Sequence, residues 1–271
     1  MTTIRYVDFL QSKVVSHSAG IEVEESSINH LLFPFQRRLT WWALRKGRSA
    51  IFADCGLGKT FMQLEWARLL GVPTLIIAPL AVAQQTRYEA RKICADVQYV
   101  RDQAEVRGLV SITNYEMIDH FDPAAFGAVV LDESSILKAF DSKTRSKLIQ
   151  MFQWTTYRLC CTATPAPNDI AEIANHAEFL GIMSRAEMLA SYFVHDDEGW
   201  RLKGHATETF YRWLASWGMM VKTPSDIGFS DEGYNLCDLH IEPVWVKADM
   251  MRAAQSTGQL FPTSLHGVKG R

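Results

Sequence analysis

The stretch FADCGLGKT, residues 52 to 60, places two glycines, a lysine and a threonine between an apolar run and a helical pattern. Gly56 and Gly58 permit backbone angles that expose consecutive N–H groups to an anion. Thr60 opens the predicted helix, whose N-terminal dipole favours the same anion. We expect Lys59 to reach the β- and γ-phosphates of a nucleotide and the Thr60 hydroxyl to ligate Mg²⁺. A glycine-rich turn that binds nothing is the alternative.

The sequence around this loop predicts an α/β fold. From residue 50 to about 165, short apolar runs alternate with amphipathic stretches, which is typical of a mostly parallel sheet flanked by helices. Ligands of such sheets bind at the carboxyl ends of the strands, so we expect the chemistry at that edge. The predicted strands span residues 49 to 54, 73 to 79, 108 to 113, 126 to 133 and 157 to 164. The predicted helices between them span residues 60 to 70, 81 to 93 and 142 to 153.

Two adjacent carboxylates end one of these strands, in the run GAVVLDESS, residues 127 to 135. We expect Asp132 to hold Mg²⁺ through water, and Glu133 to orient or deprotonate an attacking water. Transfer of a phosphoryl group to water needs this second carboxylate, whereas a kinase positions a substrate hydroxyl. Together with the loop at residues 52 to 60, the pair predicts a nucleoside triphosphatase.

The composition excludes several other classes. No apolar run approaches the roughly 20 residues that span a bilayer, and the first 20 residues lack a signal-peptide pattern, so we expect a cytoplasmic protein. The five cysteines form no Cys-x-x-Cys pair, which argues against a disulfide framework or a zinc site. The net charge of −2 means that any contacts with nucleic acid must be local.

Further motifs make the prediction more specific. They are FPFQRRLTWWAL (33 to 44), APLAVAQQTRYEA (78 to 90), ITNYEM (112 to 117), DESS (132 to 135) and CTATPAPND (161 to 169). In this order they resemble the first motor lobe of a superfamily 2 helicase, closest to the Snf-type double-stranded DNA translocases and their bacteriophage relatives. The resemblance covers most of residues 30 to 225. It implies a RecA-like P-loop NTPase lobe with a C-terminal helical extension, which binds ATP and Mg²⁺ and uses Lys59, Asp132 and Glu133 in catalysis.

The resemblance also implies how the nucleotide is held. Gln36 would bond the adenine edge, with Phe33 or Phe35 packing nearby. Trp41 and Trp42 are expected to pack in the core. The residues expected to bind the nucleotide are Gln36, Gly56, Leu57, Gly58, Lys59, Thr60 and Phe61.

Other positions are implied to bind nucleic acid or to couple that binding to hydrolysis. Thr162, Ala163 and Thr164 end a strand beside Asp132, where small hydroxyl residues can switch hydrogen-bond partners when the γ-phosphate leaves. Lys138 matches a basic position of the family, and Tyr115 has either a stacking or a core role. The expected nucleic-acid contacts are Pro79, Leu80, Thr113 and Asn114.

The domain organisation follows from the same resemblance. We expect an N-terminal extension (1 to 30), the RecA-like lobe (31 to 180), a helical extension packing on it (181 to 240) and a linker (241 to 271) toward a second lobe. No second strand-helix series follows residue 225. The arginine fingers of this superfamily come from a second RecA-like lobe, so the chain is expected to be a piece of a longer protein or to borrow that lobe. We expect it to be poorly active in isolation.

Two other functions share part of the pattern. A P-loop kinase or nucleotide switch would use Lys59, Thr60 and Asp132, but would have no use for Gln36 or for residues 162 to 165. A non-catalytic nucleic-acid adaptor derived from a motor would not need Glu133. The expected partner is double-stranded DNA, although the sequence leaves single-stranded DNA and RNA open.

Overall fold

The computed structural model describes residues 20 to 93, 95 to 138, 143 to 196, 199 to 234 and residue 242. The expected linker after residue 241 and most of the expected N-terminal extension therefore lie outside the described residues, apart from Glu242. The described strands are β1 (Arg48–Ala53), β2 (Thr74–Ala78), β3 (Val97–Tyr99), β4 (Val110–Asn114), β5 (Ala128–Asp132), β6 (Tyr157–Cys161), β7 (Phe193–Asp196), β8 (Gly199–Leu202) and β9 (Gly218–Val221).

The α-helices alternate with these strands, and short 3₁₀ turns complete several connections. One such turn, Ser134–Lys138, follows the acidic pair. The described α-helices are α1 (Pro34–Lys46), α2 (Lys59–Leu70), α3 (Leu80–Lys92), α4 (Lys143–Met151), α5 (Ile173–Leu180), α6 (Arg185–Tyr192) and α7 (Thr207–Trp217).

Seven strands form one parallel sheet in the order β3-β4-β2-β5-β6-β1-β9. β7 and β8 form a separate antiparallel hairpin. β5 pairs with β2 on one side and with β6 on the other, and Asp132 lies opposite Cys161 in the second pairing. The loop at residues 52 to 60, called the phosphate loop below, follows β1, and β1 is the next strand beyond β6. The two halves of the predicted site therefore leave the sheet at the same edge, one strand apart.

Apolar layers cover both faces of the sheet. Alternate residues of β5 enter different clusters: Val129 and Leu131 pack with α5 and α7, whereas Ala128 and Val130 pack with α1 and α2. This period of two, in a strand that is buried on both sides, is typical of parallel sheets between helices. Trp41 and Trp42 pack against the second cluster, as expected.

Local signals in the sequence account for several helix ends. α2 begins after Gly58 and ends at Gly71, and both glycines have left-handed backbone angles. α6 begins with a capping box, in which Ser184 accepts a hydrogen bond from the N–H of Glu187 and the Glu187 side chain bonds back to Ser184. The capping box satisfies an N–H group of α6 that would otherwise lack an intrahelical partner.

The predicted α/β class, with a mostly parallel sheet flanked by helices, is confirmed. All five predicted strands and all three predicted helices of residues 49 to 164 are present, with ends shifted by at most three residues. The short strands β3 and β9 were not predicted, because three or four residues carry no readable period. β9 lies within the expected helical extension and pairs with β1 in the main sheet. No helix among the described residues has the length and apolar character needed to cross a membrane.

Candidate functional site

The phosphate loop joins the end of β1 to the start of α2. Gly56 and Gly58 have φ angles of 81° and 75°, which side chains with a Cβ rarely adopt. Within the described part of the chain, the N–H groups of Gly56, Gly58, Lys59 and Thr60 have no acceptor. Consecutive free N–H groups at a helix N-terminus form a site for an anion, so the loop has the geometry that its sequence predicts.

Lys59 lies at the first position of α2, with its ammonium group turned back over the loop. Its Nζ atom donates hydrogen bonds to the carbonyl of Ala53 at 3.0 Å and to the carbonyl of Asp54 at 3.2 Å. Neutral carbonyls are weaker partners for an ammonium group than phosphate oxygens, so these bonds can be exchanged on binding. Thr60 follows in the same turn and is partly exposed, which leaves its hydroxyl accessible to a metal ion.

Gln36 connects α1 to the phosphate loop. Its Nε2 atom donates a hydrogen bond to the carbonyl of Leu57 at 3.0 Å, and its Oε1 atom accepts one from the N–H of Phe33 at 3.0 Å. A side-chain amide has two N–H bonds and two lone pairs, so one of each remains for a ligand. Any Cβ at position 58 would overlap Gln36. The structure thus places Gln36 at the loop, and its contact with adenine stays a prediction.

An apolar pocket of about 250 Å³ lies at the start of α1, the helix that carries Gln36. The aromatic residues that line it are Phe33, Phe35, Phe229 and Tyr234. The Tyr234 ring stands edge-on to Phe33 and Phe35, with ring centroids 5.4 and 5.1 Å apart. Aromatic walls of this kind suit a flat heterocycle, because its faces can stack on or meet the edges of the rings.

Asp132 ends β5 and is only 3% exposed. Its Oδ1 atom accepts hydrogen bonds from Nε2 of Gln63 at 2.7 Å and from the N–H of Glu133 at 3.1 Å. Burial raises the pKa of Asp132, and the hydrogen bond from Gln63 opposes that shift. A cation close to a buried carboxylate stabilises its ionised form. Asp132 and the hydroxyl of Thr60, one helical turn before Gln63, offer oxygen atoms of the kind that Mg²⁺ prefers.

Glu133 is partly buried and accepts a hydrogen bond from the Thr162 hydroxyl at 3.2 Å. The Thr162 oxygen in turn accepts one from the N–H of Thr164 at 3.1 Å. Thr162 is fully buried and Thr164 is exposed, with Ala163 between them. The structure thus brings together the predicted catalytic carboxylate and the first predicted coupling residue, through a hydroxyl that can change partners.

The predicted nucleic-acid contacts divide into two groups. Pro79 and Leu80 line a groove of about 280 Å³ together with Glu133 and Lys138, and Leu80 is 57% exposed. Thr113 and Asn114 are buried at the end of β4. Neither side chain therefore presents an exposed surface in the structure. Their role as phosphate contacts stays a prediction.

Two polar residues at the site, Gln63 and His176, were not predicted, and the role of a third, Tyr115, was left open. Gln63 was missed, although it lies one helical turn after Lys59 and therefore on the same face of α2. Tyr115 donates a hydrogen bond to the carbonyl of Asp132 at 2.8 Å, so of its two predicted roles the core position is the one observed. His176 shares a hydrogen bond with Ser134 at 3.1 Å, and nothing in its local sequence signals this contact.

Comparisons with known proteins extend this description, although no protein-family model matches the sequence. The chain is 31% identical over 176 residues to a protein called p41 of Acyrthosiphon pisum secondary endosymbiont phage 1, covering 54% of this chain and 38% of that protein. It is 25% identical over 204 residues to the chromatin remodeling factor mit1 of Schizosaccharomyces pombe, covering 62% of this chain and 14% of mit1. The chain therefore spans well under half the length of these curated relatives.

The fold is similar to that of the Sulfolobus solfataricus SWI2/SNF2 ATPase core solved in complex with dsDNA. The TM-score is 0.61 at 19% sequence identity, over 73% of this chain and 46% of that one. A second structure of this ATPase core domain matches with a TM-score of 0.57 at 18% identity, over 76% of this chain and 48% of that one. The predicted resemblance is confirmed for the fold: this chain has the RecA-like fold of the SWI2/SNF2 ATPase cores and spans about half of such a core.

Proposed function

We propose that the chain is the N-terminal ATP-binding lobe of an ATP-dependent DNA translocase or helicase. The observation that carries the proposal is the meeting of three features at one sheet edge: the phosphate loop with Lys59, the buried Asp132, and Glu133 in contact with Thr162. A lobe that only bound a nucleotide would not need the hydrogen bond between Glu133 and Thr162, the first of the predicted coupling residues.

Nucleotide binding uses groups that lack strong partners in the structure. The free N–H groups of Gly56, Gly58, Lys59 and Thr60 bind the phosphate oxygens, and Lys59 exchanges its two carbonyl partners for them. The base enters the pocket that Phe33 and Tyr234 help to line, and its edge meets the remaining hydrogen-bonding groups of Gln36. Leu57 and Phe61 shape the loop around these contacts.

Hydrolysis depends on the two carboxylates. Mg²⁺, when bound, neutralises charge on the phosphates. Asp132 and Thr60 would hold the ion, partly through water. Glu133 accepts a proton from the water that attacks the γ-phosphorus while the bond to ADP breaks, and the Thr162 hydroxyl keeps the Glu133 carboxylate in place. When the Glu133–Thr162 bond breaks or forms, residues 162 to 164 transmit the change toward the nucleic-acid face.

The track that we propose is double-stranded DNA, which is present in the complex of the archaeal SWI2/SNF2 core. Leu80 and Lys138 offer an exposed side chain and a positive charge at the groove beside Glu133. A second RecA-like lobe outside this chain supplies the arginine fingers, which raise turnover by about 10³ to 10⁵. The isolated chain should therefore hydrolyse ATP slowly, and we propose that the protein acts in the cytoplasm.

The test is ATP hydrolysis with and without duplex DNA. Glu133→Gln should preserve Mg-ATP binding and remove turnover, because the amide cannot accept the proton. An exposed carboxylate such as Glu208 provides the control, since Glu208→Gln should change neither quantity. Turnover that ignores DNA would favour a kinase or switch, and DNA binding without any turnover would favour an adaptor.

A further inference from the structure

Glu133 has an unusual backbone conformation. Among the residues that the structure describes, it is the one residue other than glycine with a positive φ, at 53°. A side chain with a Cβ disfavours this left-handed region, because the Cβ crowds the following carbonyl group. Such a conformation persists only where the surrounding structure fixes it. The contacts on either side of Glu133 show what fixes it here.

The first contact precedes Glu133 in the chain. The Tyr115 hydroxyl donates a hydrogen bond to the carbonyl of Asp132 at 2.8 Å, which is the peptide group leading into Glu133. Tyr115 is 7% exposed and directly follows β4. Burial raises the pKa of Tyr115 well above its usual value, so the phenol keeps its proton and remains a donor at neutral pH.

The second contact follows Glu133. The Ser134 hydroxyl and Nε2 of His176 share a hydrogen bond at 3.1 Å, and both side chains are fully buried. The imidazole also stands edge-on to Phe52, with ring centroids 5.2 Å apart. The neighbouring Asn175 donates a hydrogen bond to the carbonyl of Leu137 at 2.8 Å. Two adjacent side chains of α5 therefore hold the turn that begins at Ser134.

We infer that Tyr115 and His176 are positioning residues that fix Glu133 in its left-handed conformation, with its carboxylate beside Thr162. Tyr115 fixes the peptide before Glu133 and His176 fixes the residue after it, so the direction of the side chain is determined from both sides. Neither contact involves the phosphate loop, and hydrolysis should depend on them while nucleotide affinity should not. This inference rests on the proposed function, because it assigns Glu133 the catalytic role.

The kinetic test uses Tyr115→Phe and His176→Leu. We expect single-turnover ATP hydrolysis, measured with excess protein and duplex DNA, to slow by about tenfold or more in each. The Kd for Mg-ATP should stay within about twofold of the unchanged chain. His176→Gln should recover much of the rate, because its Nε2 lies near the position of the imidazole Nε2. Tyr192→Phe, which removes a hydroxyl from a different aromatic cluster, should have no effect.

Two kinetic results would overturn the inference. One is unchanged hydrolysis in both variants, and the other is a loss of Mg-ATP affinity that accounts for the whole loss of rate. Failure of His176→Gln to improve on His176→Leu would remove His176 from the proposal.

A crystal structure of the combined Tyr115→Phe and His176→Leu variant gives a readout that does not need turnover. We expect Glu133 to adopt a negative φ and its carboxylate to lie more than about 4 Å from Oγ1 of Thr162, beyond hydrogen-bond distance. A φ that remains positive would overturn the inference even if the protein is an active ATPase. If the unchanged chain hydrolyses no more ATP than Lys59→Ala, the proposed function fails separately, and the crystal structure still decides this point.

Discussion

Nε2 of Gln63 lies 2.7 Å from Oδ1 of Asp132 and donates a hydrogen bond to it. Gln63 belongs to the helix that begins at Lys59, and Asp132 ends a strand 69 residues later in the chain. This bond joins the phosphate-loop helix directly to the acidic pair. A change in the phosphate loop can therefore affect the acidic pair directly, through this hydrogen bond.

Replacing Gln63 by Leu should destabilise the protein, because the buried Asp132 carboxylate loses its strongest donor. Loss of one partner of a buried hydrogen bond to a charged group typically costs about 1 to 3 kcal/mol. Urea unfolding at pH 7 measures this change. Gln150→Leu, at an exposed position of α4, is the matched control. Equal stability of the two variants would mean that the Gln63 bond contributes nothing.

Asp132→Asn should stabilise the free protein while removing its response to Mg²⁺. The pKa of Asp132 is raised by burial, so the folded state disfavours the ionised carboxylate at neutral pH. A neutral amide avoids that cost, and a gain of about 1 kcal/mol corresponds to a rise in Tm of roughly 2 to 4 °C for a domain of this size. Thermal melting in EDTA measures it.

The effect of Asp132→Asn on stability should depend on pH. The stabilising effect of Asp132→Asn should shrink as the pH falls, because the carboxyl of the unchanged protein becomes protonated first in the folded state. Below the unfolded pKa of about 3.9 the difference should vanish. A Tm lower than that of the unchanged protein at neutral pH would contradict the electrostatic account of this site.

His176 should make the protein sensitive to acid. Burial lowers the pKa of His176 to about 4, so the folded state holds a neutral imidazole. Above pH 6.5 both states are neutral and the histidine makes no pH-dependent contribution. Between pH 6.5 and about 4, the unfolded state takes up a proton that the folded state does not. The free energy of unfolding therefore decreases as the pH is lowered, by up to about 3 kcal/mol at 1.36 kcal/mol per pKa unit.

His176→Gln tests this dependence, since the amide does not titrate. The free energy of unfolding, measured by urea from pH 7.5 to 4.5, should fall more steeply for the unchanged protein than for the variant. Parallel curves would show that the imidazole has the same pKa in the folded and unfolded states, which would contradict the effect of burial.

Thr162→Val should weaken the stimulation of ATP hydrolysis by DNA. Valine keeps the shape of threonine and removes the hydroxyl that donates to Glu133. We expect Mg-ATP affinity to stay unchanged and the stimulation of hydrolysis by duplex DNA to fall by about tenfold, which corresponds to about 1.4 kcal/mol of coupling. Thr164→Val, at an exposed position of the same segment, should have a smaller effect. Full stimulation in Thr162→Val would remove Thr162 from the coupling role.

The parts of the site that were predictable are those encoded locally. The phosphate loop is a run of consecutive residues whose glycines and lysine each have a backbone or charge requirement, and the acidic pair ends a strongly apolar strand. The contacts that position them join distant segments, such as Gln63 with Asp132 and Ser134 with His176. Such pairs depend on how helices pack on the sheet, which no local pattern specifies.

The burial of Thr113 and Asn114 illustrates the same limit. The motif around them correctly places them at the carboxyl end of a strand. Which of its residues face outward depends on the neighbours of β4 and on the contacts of Asn114, which accepts a hydrogen bond from Tyr99 at 2.9 Å and donates one to Glu116. The parallel sheet itself could be predicted because long buried strands are strongly apolar, whereas β9, with four residues, could not.

The most direct test of the central claim is a titration of the chain with Mg-ATP, comparing Lys59→Ala with Lys203→Ala. Both lysines donate hydrogen bonds to two backbone carbonyls, but Lys203 lies away from the phosphate loop. We predict that Lys59→Ala abolishes detectable binding and that Lys203→Ala binds as the unchanged protein does. Retained affinity in Lys59→Ala would show that the loop at residues 52 to 60 is not the nucleotide site, and the account of this protein as an ATP-driven motor lobe would be wrong.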